Sequence, residues 1–229
     1  MTAAPALSDP ALLDRIREDP RSAFPALIQA NNQRLFRIAR GILRDEGEAE
    51  EAVQETYVRA FANLESFRGE SSLGTWLGRI LINEALKRQS RMKAATAVGN
   101  LHSETGREAI AGWPPLQSNP ENAAARTEIR RLVQGAIDAL PPSFRVVFIM
   151  RIIEQMSIQE TADLLGIAPE TVKTRLHRAT RRLRADLGSE LSAIFDDVFP
   201  FAGARCEKIT RSVLARICVS RPPSALPGA

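Results

Sequence analysis

The sequence predicts an all-helical protein: two small helical domains joined by a flexible linker, followed by a short helical C-terminal extension. Three observations carry this. Apolar residues recur at three- and four-residue spacing in successive segments, and the two-residue alternation of strands is absent throughout. Residues 94–120, rich in Ala, Gly, Ser, Thr and Pro, interrupt that periodicity and read as a linker. Beyond them stands Ser157–Arg184, SIQETADLLGIAPETVKTRLHRATRRLR, which reads as two short helices about a tight turn.

The elements follow in order. A short amphipathic segment, Ala11–Arg17, lies between Pro10 and Pro20. From Ser22 to Leu43, Phe24, Leu27, Ile28, Leu35, Ile38, Ala39 and Ile42 keep a helical period, with Pro25 tolerable in a first turn. A second helix should run from about Glu46 to Leu64, its inner stripe being Ala49, Val53, Tyr57, Ala60, Phe61 and Leu64 and its early acids suiting a helix N-terminus. The loop SFRGESSLGTW precedes a third helix, Thr75–Arg91, with Trp76, Leu77, Ile80 and Leu81 inward. These elements make a first domain over residues 22–93.

The second domain, residues 121–187, opens on a helix start at Asn119–Glu121, with the helix continuing to about Leu140, where the two prolines 141–142 break it. Phe144–Ile153 is apolar nearly all round, the pattern of a fully buried helix. In the helix-turn-helix, Ser157 and Glu160 have capping-box spacing, Gly166 can take the left-handed conformation that stops a helix, and Pro169 with Glu170 suit the next first turn. Val172, Leu176, Ala179 and Leu183 form its buried stripe. In the extension, residues 188–229, residues 188–203 read as loosely structured and Ala204–Ile217 as a short amphipathic helix. Phe195, Val198, Phe199, Ile209, Val213, Leu214 and Ile217 supply apolar surface expected to pack on the second domain.

Charge distribution says more than its sum. With 31 Lys plus Arg against 27 acids the 229-residue chain carries only +4, yet Asp45–Glu55 holds six acids and no base, and Thr171–Arg184 six bases and no acid. Such segregation suggests one surface for a protein partner and another for a polyanion. A helix-turn-helix whose second helix is basic on its outer faces suits a DNA major groove, the bland reading being a helical hairpin with a solvated basic face. The start lacks the basic flank and apolar core of a signal peptide, and no run approaches the ~20 apolar residues of a membrane span, so a cytoplasmic location is expected. Only Cys206 and Cys218 occur, so a disulfide framework or zinc site is not indicated; the pair reads as single buried cysteines, or else as a redox switch. No Gly-rich phosphate loop, metal-ligand cluster or nucleophile–base arrangement is legible, so neither a cofactor nor enzymatic activity is expected.

Two separated pieces carry a family resemblance. AEEAVQETYVRAFANLESFRGESSLGTWLGRILINEALKRQSR resembles the second conserved domain of bacterial RNA polymerase sigma factors, and ALPPSFRVVFIMRIIEQMSIQETADLLGIAPETVKTRLHRATRRLR their fourth. With only these two domains and a linker, the chain resembles the extracytoplasmic-function (ECF) sigma factors. The resemblance implies an alternative sigma factor that binds core RNA polymerase, directs it to particular promoters through minus-35 and minus-ten recognition, and helps open the DNA. It implies that Glu48, Glu50, Glu51, Gln54 and Glu55 bind the polymerase, where acids and an amide can pair with arginines and steer association. It places minus-ten recognition on Phe67, Arg68, Gly69, Ser71, Ser72, Asn83, Lys87 and Arg88, with Lys87 and Arg88 one turn beyond Asn83 on a DNA-facing side. Trp76, on the apolar stripe with Ile80, reads as core rather than as a base-stacking platform.

For the minus-35 element the resemblance implies the helix carrying Lys173, Thr174, His177 and Arg178, with Arg175, Arg181 and Arg182 on phosphates. Lys173 and Arg178 can donate to guanine, and Thr174 can hydrogen-bond or touch a thymine methyl; phosphate contacts add salt-dependent, sequence-blind affinity. The linker either threads the polymerase, with Trp113 as an anchor, or is a plain tether. An anti-sigma factor is a further partner of the family. The rival readings are a stand-alone helix-turn-helix regulator, which leaves residues 46–92 without a purpose, and a sigma-like decoy that sequesters an anti-sigma factor, which has no need of an intact basic face.

Overall fold

The computed structural model describes residues 14–16, 18, 20–69, 71–99, 123–187 and 204–220. Every regular element among the described residues is a helix. A first bundle comprises α1 (Pro20–Leu43), α2 (Glu46–Ala62), a 3-10 turn (Leu64–Ser66) and α3 (Leu73–Gly99). A second comprises α4 (Ala123–Ala139), α5 (Pro142–Phe148) with a π-helical turn (Ile149–Ile153), α6 (Ile158–Leu165) and α7 (Pro169–Leu187). The extension contributes α8 (Ala204–Ser220).

The first bundle is built on the stripes legible in the sequence. Phe24, Leu27, Ile28, Leu35, Ile38 and Ala39 of α1 meet Ala49, Val53, Tyr57 and Ala60 of α2 and Leu77 and Leu81 of α3, all at most 1% exposed. Phe24 packs edge-on against both Tyr57 and Phe61, and the Tyr57 hydroxyl donates to the Ile28 carbonyl at 3.1 Å, the partner a buried phenol needs. The α1–α2 corner takes two residues. Arg44 adopts a left-handed φ of 66° and donates its N–H to the Arg40 carbonyl, ending α1; extended Asp45 accepts from Glu48 N at 2.8 Å, starting α2.

Three expected boundaries shift. α1 begins at Pro20, so Pro25 lies beyond the first turn. α3 does not stop near Arg91 but runs to Gly99, because the Ala-rich start of the expected linker has strong helix propensity; residues 100–122 lie outside the described residues. The buried helix expected over Phe144–Ile153 begins at Pro142 and changes to a π-turn at Ile149.

Amid the apolar residues of α5 sits Arg145, 0% exposed. Its Nε donates to the Gly41 carbonyl at 2.5 Å, and its Nη1 donates to the carbonyls of Asp138 and Leu140, both at 3.0 Å. The C-terminal turns of α1 and α4 thus converge on one guanidinium, which satisfies carbonyls that have no partner within their own helices. Burial, with Arg44 and Arg40 nearby, pushes Arg145 down to about 10 despite the opposing charge of Asp138.

The bundles are not held apart. Val146, Val147, Met150, Ala162 and Leu164 of the second join the apolar core of the first, while Ile129, Val133, Ile137, Phe148, Ile149, Ala179 and Leu183 form a separate cluster. Gly41 makes room for Ile149, whose Cδ1 would lie 2.5 Å from any Cβ there. Arg37–Glu154 at 3.1 Å and the two-pronged Arg40–Asp138 pair at 2.9 and 2.7 Å cross the same interface.

The extension corrects a further expectation. α8 packs on α1 and α2 of the first bundle, not on the second, with Ile209, Val213 and Ile217 entering the first bundle's core. Asn32, buried on α1, donates its amide to Cys206 Sγ at 3.1 Å, so half-buried Cys206 is a packed thiol. Phe195, Val198, Phe199 and the Cys218 side chain lie outside the described residues.

Candidate nucleic-acid and protein interfaces

The helix-turn-helix is set by local bonds. Ser157 Oγ accepts from Glu160 N at 3.0 Å while Glu160 Oε2 accepts from Ser157 N at 2.8 Å, the reciprocal box that starts α6. The Ser157 N–H, then its side chain, hold the Glu160 carboxyl below its ordinary value. Gly166, at φ 62° and ψ 38°, ends α6, and Ile167 N bonds back to the Ala162 carbonyl. Val172, Ala179, Leu183 and Leu187 then seat α7 on its bundle.

That seating leaves Lys173, Thr174, His177, Arg178, Arg181 and Arg182 exposed, with Arg175 half-buried. Three have local partners. Thr174 Oγ1 donates to the Glu170 carbonyl at 2.9 Å, leaving its methyl and lone pairs to face outward. The Arg182 guanidinium sits 5.6 Å over the Phe144 ring, which aims its reach along α5. Lys173 pairs with Glu170 at 2.7 Å, but at 54% and 79% side-chain exposure that pair is solvent-screened and easily exchanged. A shallow groove lined by Ser143, Phe144, Glu170, Thr174, Arg175 and Arg178 flanks the strip.

In the first bundle the expected minus-ten set divides. Arg68 and Gly69 are exposed, Gly69 at φ 77°, and Ser71 is half-buried. Ser72 Oγ accepts from Thr75 N at 3.1 Å and so starts α3. Phe67 is 7% exposed, its ring 5.2 Å from that of Trp76, so it anchors the loop from beneath. Asn83 and Lys87 stand exposed one turn apart on α3, and exposed Arg79 extends the strip by another turn. Arg79 was not expected there, although its four-residue spacing from Asn83 was visible.

Arg88 departs from the expectation. It does not share Lys87's strip, because adjacent helix residues lie about 100° apart. Its Nε donates to Glu84 at 2.9 Å, and its Nη1 to Glu48 at 3.1 Å and Glu51 at 2.9 Å. Burial alone would lower its pKa; the hydrogen bonds to Glu51, Glu48 and Glu84 outweigh it and raise the value. Glu84, 2% exposed, also has Arg59 at 3.1 Å.

The acids expected on one face of α2 fall on two. Glu48 and Glu51 turn toward Arg88. Glu50, 8% exposed, pairs with Lys208 at 2.9 Å and lies 3.5 Å from Arg205, which also pairs with Glu46. Gln54 accepts from Ser212 Oγ at 2.9 Å, and Glu55 is held by Arg59 at 2.9 Å and Arg216 at 2.7 Å. Burial would raise the Glu55 pKa, but the bonds from Arg216 and Arg59 prevail and lower it.

Comparison with known proteins agrees with this architecture. The family described as Sigma-70 region 2 matches residues 27–94, and Sigma-70, region 4 matches residues 130–183. The chain is 30% identical over 176 residues to the ECF RNA polymerase sigma-E factor of Escherichia coli (strain K12), covering 76% of this chain and 91% of the relative. It is 28% identical over 179 residues to the ECF RNA polymerase sigma factor SigW of Bacillus subtilis (strain 168), covering 76% and 94%. Among solved structures it is similar to the sigma factor RpoE of Bartonella quintana in complex with the anti-sigma factor NepR (TM-score 0.51, 25% identity, 72% of this chain and 94% of that one). It is likewise similar to CnrH in complex with the cytosolic domain of CnrY (TM-score 0.54, 25% identity, 77% and 95%). With both conserved regions in order and relatives matched over nearly their whole length, the chain belongs to the ECF group of sigma-70 RNA polymerase sigma factors.

Proposed function

We propose a division of labour for this sigma factor, which directs promoter-specific transcription initiation. Residues 22–93 dock on core RNA polymerase through Glu48, Glu50, Glu51, Gln54 and Glu55, with Glu46 added. The same domain engages the minus-ten element through Arg68, Gly69, Ser71 and the α3 strip Arg79–Asn83–Lys87, with Phe67, Ser72 and Arg88 shaping the surface from behind. Residues 121–187 read the minus-35 element, Lys173, Thr174, His177 and Arg178 at base edges and Arg175, Arg181 and Arg182 at phosphates. The chain works in the cytoplasm, supplies no covalent chemistry of its own, and is open to control by an anti-sigma factor, as the RpoE of Bartonella quintana is seen bound to one.

The observation that carries this reading is the pairing of two surfaces on one chain: the exposed basic strip of α7 and the acidic row of α2. A stand-alone regulator has use for the first and none for the second. The experiment is in vitro transcription from genomic fragments of the source organism. Purified protein is added to core polymerase, and RNA 5′ ends are sequenced against core alone. Discrete new starts sharing two upstream boxes are expected; a folded protein and active core giving no new starts would transfer the chain to the regulator or decoy class.

A further inference from the structure

We infer that α8 is a built-in competitor for core polymerase, seated in the free protein on Glu46, Glu50, Gln54 and Glu55, one of the two α2 faces assigned above to docking. The inference rests on that assignment and adds regulation to it.

The helix carries two stripes. Ile209, Val213 and Ile217, four apart and at most 5% exposed, enter the core beside α1 and α2. Beside them Arg205, Lys208, Ser212 and Arg216 recur at three- and four-residue intervals and run along α2 in parallel register. Arg205 and Lys208 take Glu46 and Glu50, Ser212 takes Gln54, and Arg216 takes Glu55. Both stripes are matched at once: the apolar one enters the core while the cationic one meets the acids of α2.

The contacts exclude a second occupant. A polymerase surface that brings arginines to Glu50, Gln54 and Glu55 needs the same lone pairs that Lys208, Ser212 and Arg216 now use. Glu50 is 8% exposed beneath α8, so nothing reaches its carboxylate while that helix stays in place. The construction also favours release. The cations of these pairs are 41–68% exposed, where ion pairs are screened and individually weak, so the apolar stripe does most of the holding. Being tethered, α8 acts at an effective concentration on the order of millimolar, enough for a weak contact to stay closed until a stronger partner arrives. The apparent affinity for polymerase then falls by the fraction of molecules that are open.

The test compares the native full-length chain with R205E/K208E/R216E, which keeps the apolar stripe, and with a chain ending at residue 203. R211E, an exposed α8 cation with no acid opposite it among the contacts above, controls for bulk charge. Binding to core RNA polymerase is measured by fluorescence anisotropy, and hydrogen exchange is followed over residues 46–62. Removing the competitor should tighten binding roughly tenfold or more and speed exchange along α2, with R211E within about twofold of native. Equal affinity for native and triple-substituted chains overturns the competitor, as does weaker binding of the triple variant or an R211E effect of the same size. No polymerase binding by any variant, truncated chain included, overturns the assignment of α2 itself.

Discussion

Arg145 and Gly41, 104 residues apart in sequence, are joined by a 2.5 Å hydrogen bond from the guanidinium to the glycine carbonyl. The bond ties the helix before the helix-turn-helix to the last turn of α1, and the same guanidinium serves the end of α4. Replacing Arg145 with Met should cost about 2–4 kcal/mol in urea unfolding, since carbonyls of both helix ends lose their donor inside the core. Lysine, a point charge unable to fork, should recover less than half of that. A Met variant as stable as the native chain would show that desolvation cancels the bonds.

If the two bundles read the two promoter elements as proposed, they part on the promoter. Elements named minus-35 and minus-ten lie about 25 base pairs apart, ~85 Å of duplex at 3.4 Å per pair. A compact chain of this length has a radius of gyration of about 17 Å and spans roughly 45 Å. Dyes at exposed Ala62 and Asp163, one on each bundle, should therefore move apart when the protein enters a polymerase–promoter complex. Unchanged energy transfer in a transcribing complex would mean that only one element is engaged at a time.

Arg88 bridges Glu48, Glu51 and buried Glu84, and R88Q leaves Glu84 with Arg59 alone. A loss of about 2 kcal/mol is expected in thermal or urea unfolding. The salt dependence of promoter binding should stay unchanged in R88Q and weaken in K87A. A fall of about one in the log–log salt slope for R88Q would return Arg88 to the DNA.

On α7, R178A should weaken binding by ~1–3 kcal/mol and relax preference at a single promoter position. R181A should weaken binding on all promoters and lower the salt slope by ~0.9. Binding across a library of single-base promoter variants separates the two patterns; identical profiles would mean that Arg178, too, meets only the backbone.

The α6 capping box gives stability a pH dependence. The hydrogen bonds from Ser157 depress the folded-state pKa of Glu160 below the ordinary 4.5, so the contribution is fully present above that value and is lost as pH falls through the folded one. S157A should cost about 1 kcal/mol at neutral pH, and E160Q should flatten the acid limb below the ordinary carboxyl value of 4.5. An acid limb identical in E160Q and native chains would count against the box as its source.

What the sequence determined by itself is what depends on neighbours along the chain. Helical periodicity placed Phe24 through Ile42 and Ala49 through Ala60 in the core, and the Ser157–Glu160 spacing and Gly166 set the helix-turn-helix. The seating of Val172, Ala179 and Leu183 then decided which α7 side chains face outward. Tertiary structure decided what depends on groups far apart in the chain. Arg145 is invisible in an apolar run as the cap of two helices, because the carbonyls it satisfies belong to residues 41, 138 and 140. Asn83, Lys87 and Arg88 read as one polar cluster, yet the buried charge of Glu84 draws Arg88 away from its neighbour. Glu50 and Glu55 read as part of a free acidic face, while Lys208 and Arg216, which pair with them, lie some 160 residues downstream, on a helix whose periodicity was legible but whose partner was not. Periodicity states which side of a helix is buried; which surface buries it is settled by charge and shape matching across the fold.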